Sequence, residues 1–307
     1  MGKEQLKKIK GVIFDVQNYS LHDGEGIRTL VFMKGCPLRC IWCSNPESQN
    51  FNIEIGSLVK NCIRCGKCLE VCEENAICLP DFQIIRDRCN NCLKCAKACR
   101  VKAKKIIGIE ITVDELIDIV EQDRIFYKNS GGGVTVGGGE PVGQSDFVSA
   151  FLYTCKTRNI NTSIETCGYA SKEVFEKTVE YTDVILFDIK HMDSKKHREL
   201  TGVRNEIILE NAKRAGKYKD IIIRTPIIPG LNDDLVNIME TIRFASSLPK
   251  LVRMELLPYH NLGESKYDWI GKEYFLKNKK TYNTKEGREE LRNRLNEIGH
   301  DIPIIIV

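Results

Sequence analysis

Residues 35–45 read GCPLRCIWCSN and follow directly on the apolar, β-branched run of residues 29–33. Three cysteines, Cys36, Cys40 and Cys43, give this stretch the spacing C-x3-C-x2-C, and the next cysteine in the chain is Cys62. A cubane [4Fe-4S] cluster has four irons, and each takes one external ligand. Three thiolates leave one iron open to a small molecule, so the stretch predicts a strand that leads into a cluster-binding loop. The alternative is that the three cysteines are only small apolar residues in a core.

The other cysteines are concentrated in the first third of the chain. Of fourteen cysteines, eleven fall in closely spaced motifs within residues 36–99, and only Cys155 and Cys167 follow. The sequence has no apolar leader and no apolar run near the roughly eighteen residues that a membrane span requires. We therefore expect a cytoplasmic protein that does not enter a membrane. In that reducing compartment, cysteines in C-x-x-C spacing are metal ligands rather than disulfides.

Length and charge limit the remaining possibilities. With 307 residues and 42% apolar side chains, the chain can form a catalytic domain of barrel size and one small module. The net charge of +4 is small and spread along the chain. It gives no reason to expect a nucleic acid as a partner.

Residues 62–99 contain an internal repeat of the pattern C-x2-C-x2-C-x3-C. The four cysteines of the first copy recur 27 residues later in the second copy. This duplicated spacing resembles that of bacterial two-cluster ferredoxins, in which three cysteines of one copy and the last cysteine of the other hold each [4Fe-4S] cluster. The resemblance implies a first cysteine set and a second cysteine set, namely Cys62, Cys65, Cys68 and Cys99, and Cys72, Cys89, Cys92 and Cys95.

Two features of the repeat differ from that pattern, and one alternative competes with it. The proline that usually follows the last cysteine is Glu73 in the first copy and Arg100 in the second. Structural zinc sites are the alternative, although zinc usually draws its ligands from two separated C-x-x-C hairpins. Cys78 belongs to neither set and is expected to be a small buried residue.

The repeat defines a module of its own. We expect residues 53–105, called the cysteine-rich segment below, to form a ferredoxin-like domain inserted into a larger domain of residues 1–52 and 106–307. Residues 62–105 contain ten Lys or Arg and five Asp or Glu. Eight thiolates on two oxidised clusters would bring a charge of about −4 and leave the segment nearly neutral. Its exposed basic rim would suit an acidic flavodoxin or ferredoxin as electron donor.

The larger domain alternates predicted strands with predicted helices. Thr112 and Glu115 have the pattern of a capping box at the start of TVDELIDIVEQ, and Ser145 and Ser171 are predicted to cap two later helices. Six β-α units in series predict an α/β fold with a parallel sheet, in the form of a partial (βα)6 TIM-like barrel. The predicted strands are residues 29–33, 134–136, 162–165, 184–188, 221–225 and 253–257.

Polar residues and glycines follow these predicted strands at the point where each strand ends. Because the carboxyl ends of barrel strands face one cavity, we expect these residues to share a site. They are Gly138, Gly139, Glu140, Glu165, Thr166, Asp188, Lys190, Arg224 and His260.

The motif C-x3-C-x2-C after a strand resembles that of the radical S-adenosylmethionine (SAM) enzymes, in which the open iron binds the amino and carboxylate groups of SAM. Along nearly its whole length the chain also resembles the activating enzymes of glycyl radical enzymes. The cysteine-rich segment resembles that of the longer members, which serve glycerol or diol dehydratases, choline trimethylamine-lyase or 4-hydroxyphenylacetate decarboxylase, rather than the short activase of pyruvate formate-lyase. The segments that carry the resemblance are GVIFDVQNYSLHDGEGIRTLVFMKGCPLRCIWCSNPES, GGGVTVGGGEP, IETCGYA, FDIKHMD and LLPYHNLGESKY.

Two positions depart from the family pattern. Glu25 in HDGEGIRT stands where proline is usual, and Gly137 in GGGVTVGGGE stands where serine is usual. We expect neither residue to touch the reacting atoms, whereas Glu25 changes a surface that would face the partner.

The resemblance implies a role for the residues near the cysteine motif. Trp42 and Ser44, with the cluster cysteine between them, would flank the adenine of SAM. Gly138, Gly139 and Glu140 would lie against its methionine amino group. Glycines at such positions let backbone carbonyl groups approach a ligand closely, although a glycine run can also be only a flexible loop.

The resemblance also assigns residues after the later strands. Asp188, Ile189 and Lys190 match a D-x-K segment, in which Lys190 would neutralise the SAM carboxylate. His260 matches the histidine that reaches the ribose. Arg224 would orient SAM or the incoming peptide. Each of these has a structural alternative: a solvated strand end for Lys190, a structural histidine for His260 and an ion pair for Arg224.

A monovalent cation site beside the bound SAM is a further implication of the resemblance. Its ligands would be Glu165, Thr166, Asp188 and the backbone of Leu186, with Glu165 in place of the usual, shorter aspartate.

Cys155 and Cys167, which lie outside all these motifs, are expected to pack in the core. A nucleophilic role would require a neighbouring base, and the sequence indicates none.

The resemblance implies a radical SAM enzyme with three [4Fe-4S] clusters that activates a partner glycyl radical enzyme. Reductive cleavage of SAM would give methionine and a 5′-deoxyadenosyl radical that abstracts hydrogen from a glycine of the partner. Two alternatives remain: a different radical SAM enzyme with auxiliary clusters, such as a sulfatase-maturing or other peptide-modifying enzyme, and an iron-sulfur electron-transfer protein. The last would leave about two hundred residues of barrel without a role.

Overall fold

The computed structural model describes residues 3–307, in which eleven strands form one large and one small sheet. The strands are β1 Lys10–Ser20, β2 Arg28–Met33, β3 Glu54–Ser57, β4 Lys104–Ile107, β5 Ile109–Thr112, β6 Gly133–Gly138, β7 Asn161–Thr166, β8 Val184–Asp188, β9 Asp220–Ile227, β10 Leu251–Pro258 and β11 Ile304–Ile306. The large sheet has the order β11-β10-β9-β8-β7-β6-β2-β1-β5, and the small sheet pairs β3 with β4.

Twelve helices lie within residues 3–307, and most of them connect strands of the large sheet. They are α1 Lys3–Lys7, α2 Lys67–Glu70, α3 Lys94–Ala98, α4 Val113–Glu121, α5 Arg124–Ser130, α6 Ser145–Thr157, α7 Lys172–Val179, α8 Ser194–Thr201, α9 Glu206–Tyr218, α10 Leu235–Ser246, α11 Glu264–Trp269 and α12 Lys285–Ile298. Short 3-10 helices lie at Pro46–Ser48, Val59–Asn61 and Pro141–Gln144. Among residues 3–307, no helix has the length and apolar character that crossing a membrane requires.

The six predicted strands are confirmed as β2, β6, β7, β8, β9 and β10, which are neighbours in this order and pair in parallel. Their side chains are buried because helices cover a parallel sheet; in β8, Ile185, Leu186 and Phe187 are each 0% exposed. The result is an α/β fold with a mostly parallel sheet, consistent with the predicted partial barrel. The large sheet also contains β1, β5 and β11, which the sequence patterns did not indicate; β1 pairs antiparallel with β2 and β5, and β11 pairs in parallel with β10.

The predicted helix caps can be compared with the starts of α4, α6 and α7. The capping box at α4 is confirmed, because the Thr112 side chain accepts from the Glu115 backbone and the Glu115 side chain accepts from the Thr112 backbone. Ser171 caps α7 as predicted. The prediction for Ser145 was wrong by one residue: Gln144 precedes α6 without a side-chain cap, and the Ser145 hydroxyl instead donates to the Val174 carbonyl oxygen, 3.3 Å away.

The main core lies between the large sheet and its helices. In α6, Phe147, Phe151 and Cys155 recur at four-residue intervals and are all buried, so one face of the helix covers the sheet. Burying a side chain such as Phe151 stabilises a fold by roughly 1.5–3 kcal/mol. Cys155 and Cys167 are both buried, as expected, whereas Cys78 is only partly buried and the prediction of a buried residue there was wrong. Cys78 lies between buried Ile77 and the exposed turn at Leu79 and Pro80.

The cysteine-rich segment leaves and rejoins the larger part of the chain through the small sheet. Strands β3 and β4 are antiparallel, with Glu54 opposite Ile107 and Ser57 opposite Lys104. Between them, α2 and α3 pack against each other, and a small apolar core forms around Ile55, Ile77, Phe82, Ile84 and Cys95.

The two copies of the cysteine repeat share an unusual backbone. Three pairs of residues with positive φ are each separated by the 27-residue period of the repeat. A positive φ angle costs a residue with a side chain roughly 1–2 kcal/mol. Its recurrence at corresponding positions therefore indicates that the two copies share one backbone conformation. The pairs, with their φ angles, are Arg64 and Asn91 (57° and 56°), Gly66 and Leu93 (77° and 64°), and Asn75 and Lys102 (48° and 54°).

Candidate functional site

Residues 35–45, the cysteine loop, leave the carboxyl end of β2 and turn sharply at Gly35. The φ angle of Gly35 is +99°, and a Cβ at this position would collide with the ring of Phe51, so glycine is required. The Gly35 N–H donates to the Ser48 carbonyl oxygen at 2.6 Å. The start of the loop is therefore held against the 3-10 helix at Pro46–Ser48.

The middle of the cysteine loop is held by α8. The Arg39 N–H donates to the Thr201 carbonyl oxygen at 2.7 Å, and the Ile41 N–H donates to the Leu200 carbonyl oxygen at 3.1 Å. These carbonyl groups belong to the last turn of α8, where helix carbonyls have no partner within the helix. The loop thus satisfies the free end of α8, and α8 fixes the loop.

A cavity of about 200 Å3 lies where the cysteine loop meets the carboxyl ends of the parallel strands. Most of the residues that the sequence placed in one site line it. They are Cys36, Cys40, Trp42, Cys43, Ser44, Gly138, Gly139, Glu140, Glu165, Thr166, Asp188 and Lys190.

Four sequence-predicted residues lie outside this cavity. The side chains of Leu186 and Ile189 are buried in the core, at 0% and 1% exposure. Arg224 and His260 line an adjoining cavity of about 410 Å3. The two cavities share lining residues, namely Trp42, Ser44, Pro226 and Leu257.

The glycines after β6 bring a second loop against the cysteine loop. We call residues 137–140 the glycine loop. The Gly139 N–H donates to the Met33 carbonyl oxygen at 2.9 Å, and the Glu140 N–H donates to the Gly35 carbonyl oxygen at 2.8 Å. A Cβ on Gly139 would lie 2.5 Å from the Gly35 oxygen, which is too close for any side chain. The glycines were predicted to admit a ligand, and they also admit the backbone of the neighbouring strand.

Glu140 is held in place by hydrogen bonds from the next strand. Its carboxylate accepts from the Cys167 N–H at 2.8 Å, from the Val142 N–H at 3.4 Å and from the Thr166 hydroxyl. Burial raises the pKa of Glu140, and these donors oppose that change because they favour the carboxylate. The side chain therefore positions the glycine loop against β7.

Lys190 and Asp188 form an ion pair at the wall of the cavity. The Lys190 Nζ lies 2.9 Å from Asp188 Oδ2. Burial disfavours the ammonium, but the charge of Asp188 and its hydrogen bond to Lys190 outweigh burial and hold the pKa of Lys190 well above its usual value. Asp188 Oδ1 is buried and has no hydrogen-bond partner among the described residues. A buried carboxylate oxygen of this kind suits a cationic ligand.

Arg224 is 3% exposed and lies at the centre of a buried ionic network. Its Nη1 lies 3.0 Å from Glu165 Oε1 and 3.7 Å from Asp23 Oδ1, and its Nε lies 2.8 Å from Glu255 Oε2. The guanidinium also donates to the His22 carbonyl oxygen. Of the two interpretations of Arg224, the structure shows the ion pair.

The same network reaches the loop between β1 and β2. Arg253 bonds Glu255 at 2.9 Å and Glu25 at 2.8 Å. Glu25, one of the two departures from the family pattern, thus ties its loop to β10. Its side chain is 71% exposed, so the contact is at the surface.

The three cysteines of the cysteine loop line this cavity and are partly buried. Burial raises the pKa of Cys36 and of Cys43 and raises the pKa of Cys40 to about 12; on Cys40 the Lys190 ammonium is the strongest opposing influence. Thiols of this kind ionise when a metal displaces the proton. Three of them facing one cavity with a neighbouring lysine fit a cluster that has one open iron.

Several lining residues were missed by the sequence analysis. They are Leu38, Asn45, Ser48, Cys167, Pro226 and Leu257. Asn45 and Ser48 lie directly after the cysteine motif, which was the available signal. Pro226 and Leu257 lie near the ends of β9 and β10, and their uncharged side chains gave no signal of a ligand site.

The four cysteines of the second cysteine set lie close together in the structure. Cys72, Cys89, Cys92 and Cys95 all line one small cavity in the cysteine-rich segment, together with Ile55, Ile77 and Ile84 of its core. Among residues 3–307, no three His, Cys, Asp or Glu side chains converge on a point where a single metal ion would bind. Cubane ligands bind four different irons, so their sulfur atoms are spread around the cluster.

A family model described as the radical SAM superfamily matches residues 30–242. The chain is 45% identical over 283 residues to an isethionate sulfite-lyase activating enzyme of Oleidesulfovibrio alaskensis, covering 89% of this chain and 91% of that protein. It is 42% identical over 274 residues to the choline trimethylamine-lyase activating enzyme of the same organism, covering 86% and 88%. It is 40% identical over 281 residues to a 4-hydroxyphenylacetate decarboxylase activating enzyme of Clostridioides difficile, covering 87% and 88%.

Among solved structures, the chain is similar to a radical SAM methyltransferase from Sphaerobacter thermophilus. The TM-score is 0.51 at 12% identity, and the match covers 96% of this chain and 76% of that one. At this identity the likeness concerns the fold alone.

Proposed function

The chain belongs to the radical SAM superfamily and, within it, to the activating enzymes of glycyl radical enzymes, and from this premise we propose how its residues divide the work. When bound, a [4Fe-4S] cluster and SAM supply one-electron cleavage of the sulfonium to methionine and a 5′-deoxyadenosyl radical, which takes a hydrogen atom from a glycine of the partner enzyme. The protein binds and orients the reactants and excludes water.

One observation carries the proposal for the site. Cys36, Cys40 and Cys43 line the same cavity as the glycine loop and the Asp188–Lys190 pair, although these elements are far apart in sequence. The cysteines would hold three irons of the cluster and leave the fourth to SAM. An electron-transfer protein has no use for a ligand cavity at its cluster.

The walls of the cavity suggest how SAM is held. Trp42 and Ser44 would flank the adenine, and the glycine loop, which Glu140 fixes, would receive the methionine amino group. Lys190 would neutralise the SAM carboxylate, with Asp188 and the backbone at Ile189 holding the lysine in place. His260, on the wall of the adjoining cavity, would reach the ribose.

Arg224 would act on SAM and the peptide through its neighbours. It ties Glu165 and the loop at His22 and Asp23 to the sheet, so we assign it a positioning role between the two cavities.

A monovalent cation beside SAM is proposed at Asp188, Thr166, Glu165 and the backbone of Leu186. The unpartnered Asp188 Oδ1 supports it. The ion pair between Glu165 and Arg224 means that Glu165 would share its carboxylate between the guanidinium and the cation.

We further propose that the cysteine-rich segment, residues 53–105, is a ferredoxin-like domain with two auxiliary [4Fe-4S] clusters, which brings the total to three. The rest of the chain, 1–52 and 106–307, would form the partial barrel. The shared cavity of the second cysteine set and the matched positive φ angles of the two copies support this proposal. A flavodoxin or ferredoxin would deliver electrons to the basic rim of the segment, and the free cysteines suit a cytoplasmic location.

The partner is a glycyl radical enzyme. We propose that its glycine-bearing peptide enters the 410 Å3 cavity, which adjoins the 200 Å3 cavity at the cysteine loop. Partners of the glycerol or diol dehydratase, choline trimethylamine-lyase and arylacetate decarboxylase types, and an isethionate sulfite-lyase, are all compatible, because this chain contacts the glycine peptide and not the small substrate.

Anaerobic reconstitution tests the proposed site. Reduced protein should show an electron paramagnetic resonance (EPR) signal that changes when SAM is added, and it should form 5′-deoxyadenosine. Cys43→Ala should abolish both, while Cys78→Ala, the replacement of a cysteine outside all three sets, should leave both intact. A SAM-induced change that persists in Cys43→Ala would contradict the assignment of the cysteine loop.

A further inference from the structure

Lys104 is a buried lysine inside the cysteine-rich segment. It is the first residue of β4 and is 4% exposed. Its Nζ donates to Ser57 Oγ at 2.8 Å and to the Phe82 carbonyl oxygen. Both partners are neutral, so these bonds fix the position of the ammonium without cancelling its charge.

The negative groups that act most strongly on Lys104 are cysteine thiolates. Burial lowers the pKa of Lys104, and the thiolates of Cys68, Cys95, Cys62 and Cys99, in this order, oppose the change. Three of these cysteines belong to the first cysteine set and Cys95 belongs to the second. The ammonium therefore lies within the electrostatic reach of both sets.

Cysteines of both sets pack in or against the small apolar core of the segment. They are Cys62 and Cys68 of the first set, and Cys72, Cys89 and Cys95 of the second.

Packing explains why one lysine reaches both sets. Cys68 lies on α2 and Cys95 lies on α3, and these two helices pack against each other. Helix α3 also packs against β4, at whose start Lys104 lies. Phe82, which accepts from Lys104, belongs to the same small core as Cys95.

We propose that Lys104 sets the reduction potentials of the two auxiliary clusters, an inference that rests on the proposed function because it requires those clusters. A reduced cluster carries one more negative charge than an oxidised one, so a nearby positive charge stabilises the reduced form and raises the potential. A buried charge acts more strongly than an exposed one because water and salt screen it less. Lys104 thereby favours transfer of an electron from the external donor into the segment.

The test uses the full-length chain with Cys36, Cys40 and Cys43 replaced by alanine, so that only the auxiliary clusters contribute to the signal. In this background, Lys104→Met removes the charge and Lys104→Arg keeps it. Lys97→Met is the matched control, because Lys97 is an exposed lysine of α3 between Cys95 and Cys99. Iron content is measured first, and potentials then come from redox titration followed by EPR.

We expect Lys104→Met to reduce the ratio of reduced to oxidised auxiliary cluster at a fixed potential by about tenfold, which corresponds to about 59 mV for a one-electron couple. The larger change should fall on the cluster of the first set. Lys104→Arg and Lys97→Met should stay close to the parent. A change of this kind that depends on charge, at full iron content, supports the inference.

Other outcomes overturn it in distinguishable ways. Full iron content with an unchanged potential in Lys104→Met would overturn the role of Lys104 and leave the auxiliary clusters in place. Loss of iron in Lys104→Met but not in Lys104→Arg would assign the lysine to cluster assembly instead. Absence of iron from the parent background itself would overturn the auxiliary clusters and, with them, this role.

Discussion

At the scale of single residues, Gly137 and Glu165 fit against each other. The family resemblance led us to expect a serine at the first position and the shorter aspartate at the second. A Cβ on Gly137 would lie 2.9 Å from Glu165 Oε2 and 3.2 Å from Glu165 Cβ. The missing side chain at Gly137 thus leaves room for the longer acid to reach Arg224.

The replacement Gly137→Ser should push Glu165 away from Arg224. Overpacking in a buried site costs about 1–3 kcal/mol, and we expect the free energy of unfolding of the metal-free protein to fall by about that amount. Adding Glu165→Asp, which shortens the acid, should recover at least half of the loss. Denaturant unfolding of the parent, both single variants and the double variant measures the coupling. Strictly additive effects would contradict a direct contact between the two positions.

At the scale of secondary structure, α8 supports the cysteine loop, and His197 supports α8. His197 is 1% exposed, and its Nδ1 lies 2.7 Å from the Val203 carbonyl oxygen, just beyond the helix end. Thr201 donates its hydroxyl to the His197 carbonyl oxygen at 2.7 Å, while its own carbonyl oxygen accepts from Arg39 of the loop. His197 is therefore connected through Thr201 to the cysteine loop.

Acid should weaken this support. Burial lowers the pKa of His197 to about 4, against an ordinary value of 6.5. Between these values the unfolded chain binds a proton at this histidine and the folded chain does not. The contribution of His197 to the free energy of unfolding is therefore complete above pH 6.5 and decreases as the pH drops toward 4. The loss reaches roughly 3 kcal/mol once the pH is below both values.

The measurement is the free energy of unfolding of the metal-free protein at pH 7.5, 6 and 4.5. The variant His197→Gln should be less stable at neutral pH but should lose less stability on acidification. Burial also lowers the pKa of His191, so part of the pH dependence should persist in the variant. Equal pH dependence in both proteins would show that His197 does not titrate in this range.

A second contact between elements links the end of β2 to the cysteine-rich segment. Lys34, at the end of β2, is fully buried, and its Nζ lies 2.8 Å from Glu54 Oε1 at the start of β3. The same Nζ donates to the Glu47 carbonyl oxygen at 2.8 Å. Arg86 of the segment lies 3.4 Å from Glu54 as well, so one carboxylate connects both parts of the chain.

Removal of only one partner of this pair should be costly. Glu54→Gln leaves the Lys34 ammonium buried without its carboxylate, which costs about 3–5 kcal/mol in comparable buried pairs. The double replacement Lys34→Met with Glu54→Gln should cost clearly less, because no unpaired charge remains in the core. Denaturant unfolding gives these free energies, and limited proteolysis should show earlier cleavage within residues 58–103 in Glu54→Gln. A double variant less stable than the single one would contradict the pairing.

At the scale of the whole molecule, short sequence patterns predicted the structural elements that depend on residues close together in the chain. The six parallel strands are short apolar, β-branched runs, and the capping box at Thr112 is a contact between neighbours in sequence, so both could be predicted. Strand β1 was missed because its burial alternates irregularly over eleven residues, and β11 because it has only three residues.

Contacts between residues far apart in the chain also limited the prediction of the site. The cysteines were predicted from their spacing and the glycine loop from its position after a predicted strand, whereas the ion pairs of Arg224 depend on Glu165 and Glu255, which lie 59 and 31 residues away in the chain. No local pattern records which of several acids a buried arginine will meet. The contact of Tyr267 with the Cys43 carbonyl oxygen, at 3.0 Å, joins residues 224 apart and was equally invisible.

The two parts of the molecule should also differ in their dependence on iron. The main core contains buried residues from β1 to α12, whereas the core cluster of the cysteine-rich segment is built from five buried residues, Ile55, Ile77, Phe82, Ile84 and Cys95. So small a core rarely supports a fold without a metal or disulfides. The free energy of metal binding would then be the folding energy of the segment.

Removal of iron by an anaerobic chelator should therefore unfold the segment and spare the rest. We expect amide hydrogen exchange in residues 62–99 to rise to nearly the rate of an unfolded chain, while amides of α6 and β8 stay protected. Reconstitution with iron and sulfide should restore protection. The variant Cys62→Ala with Cys89→Ala should show the same exposure without a chelator, and Cys155→Ala, which removes a buried cysteine of the main core, should not. Full protection of residues 62–99 in the iron-free protein would mean that the segment folds on its apolar core alone.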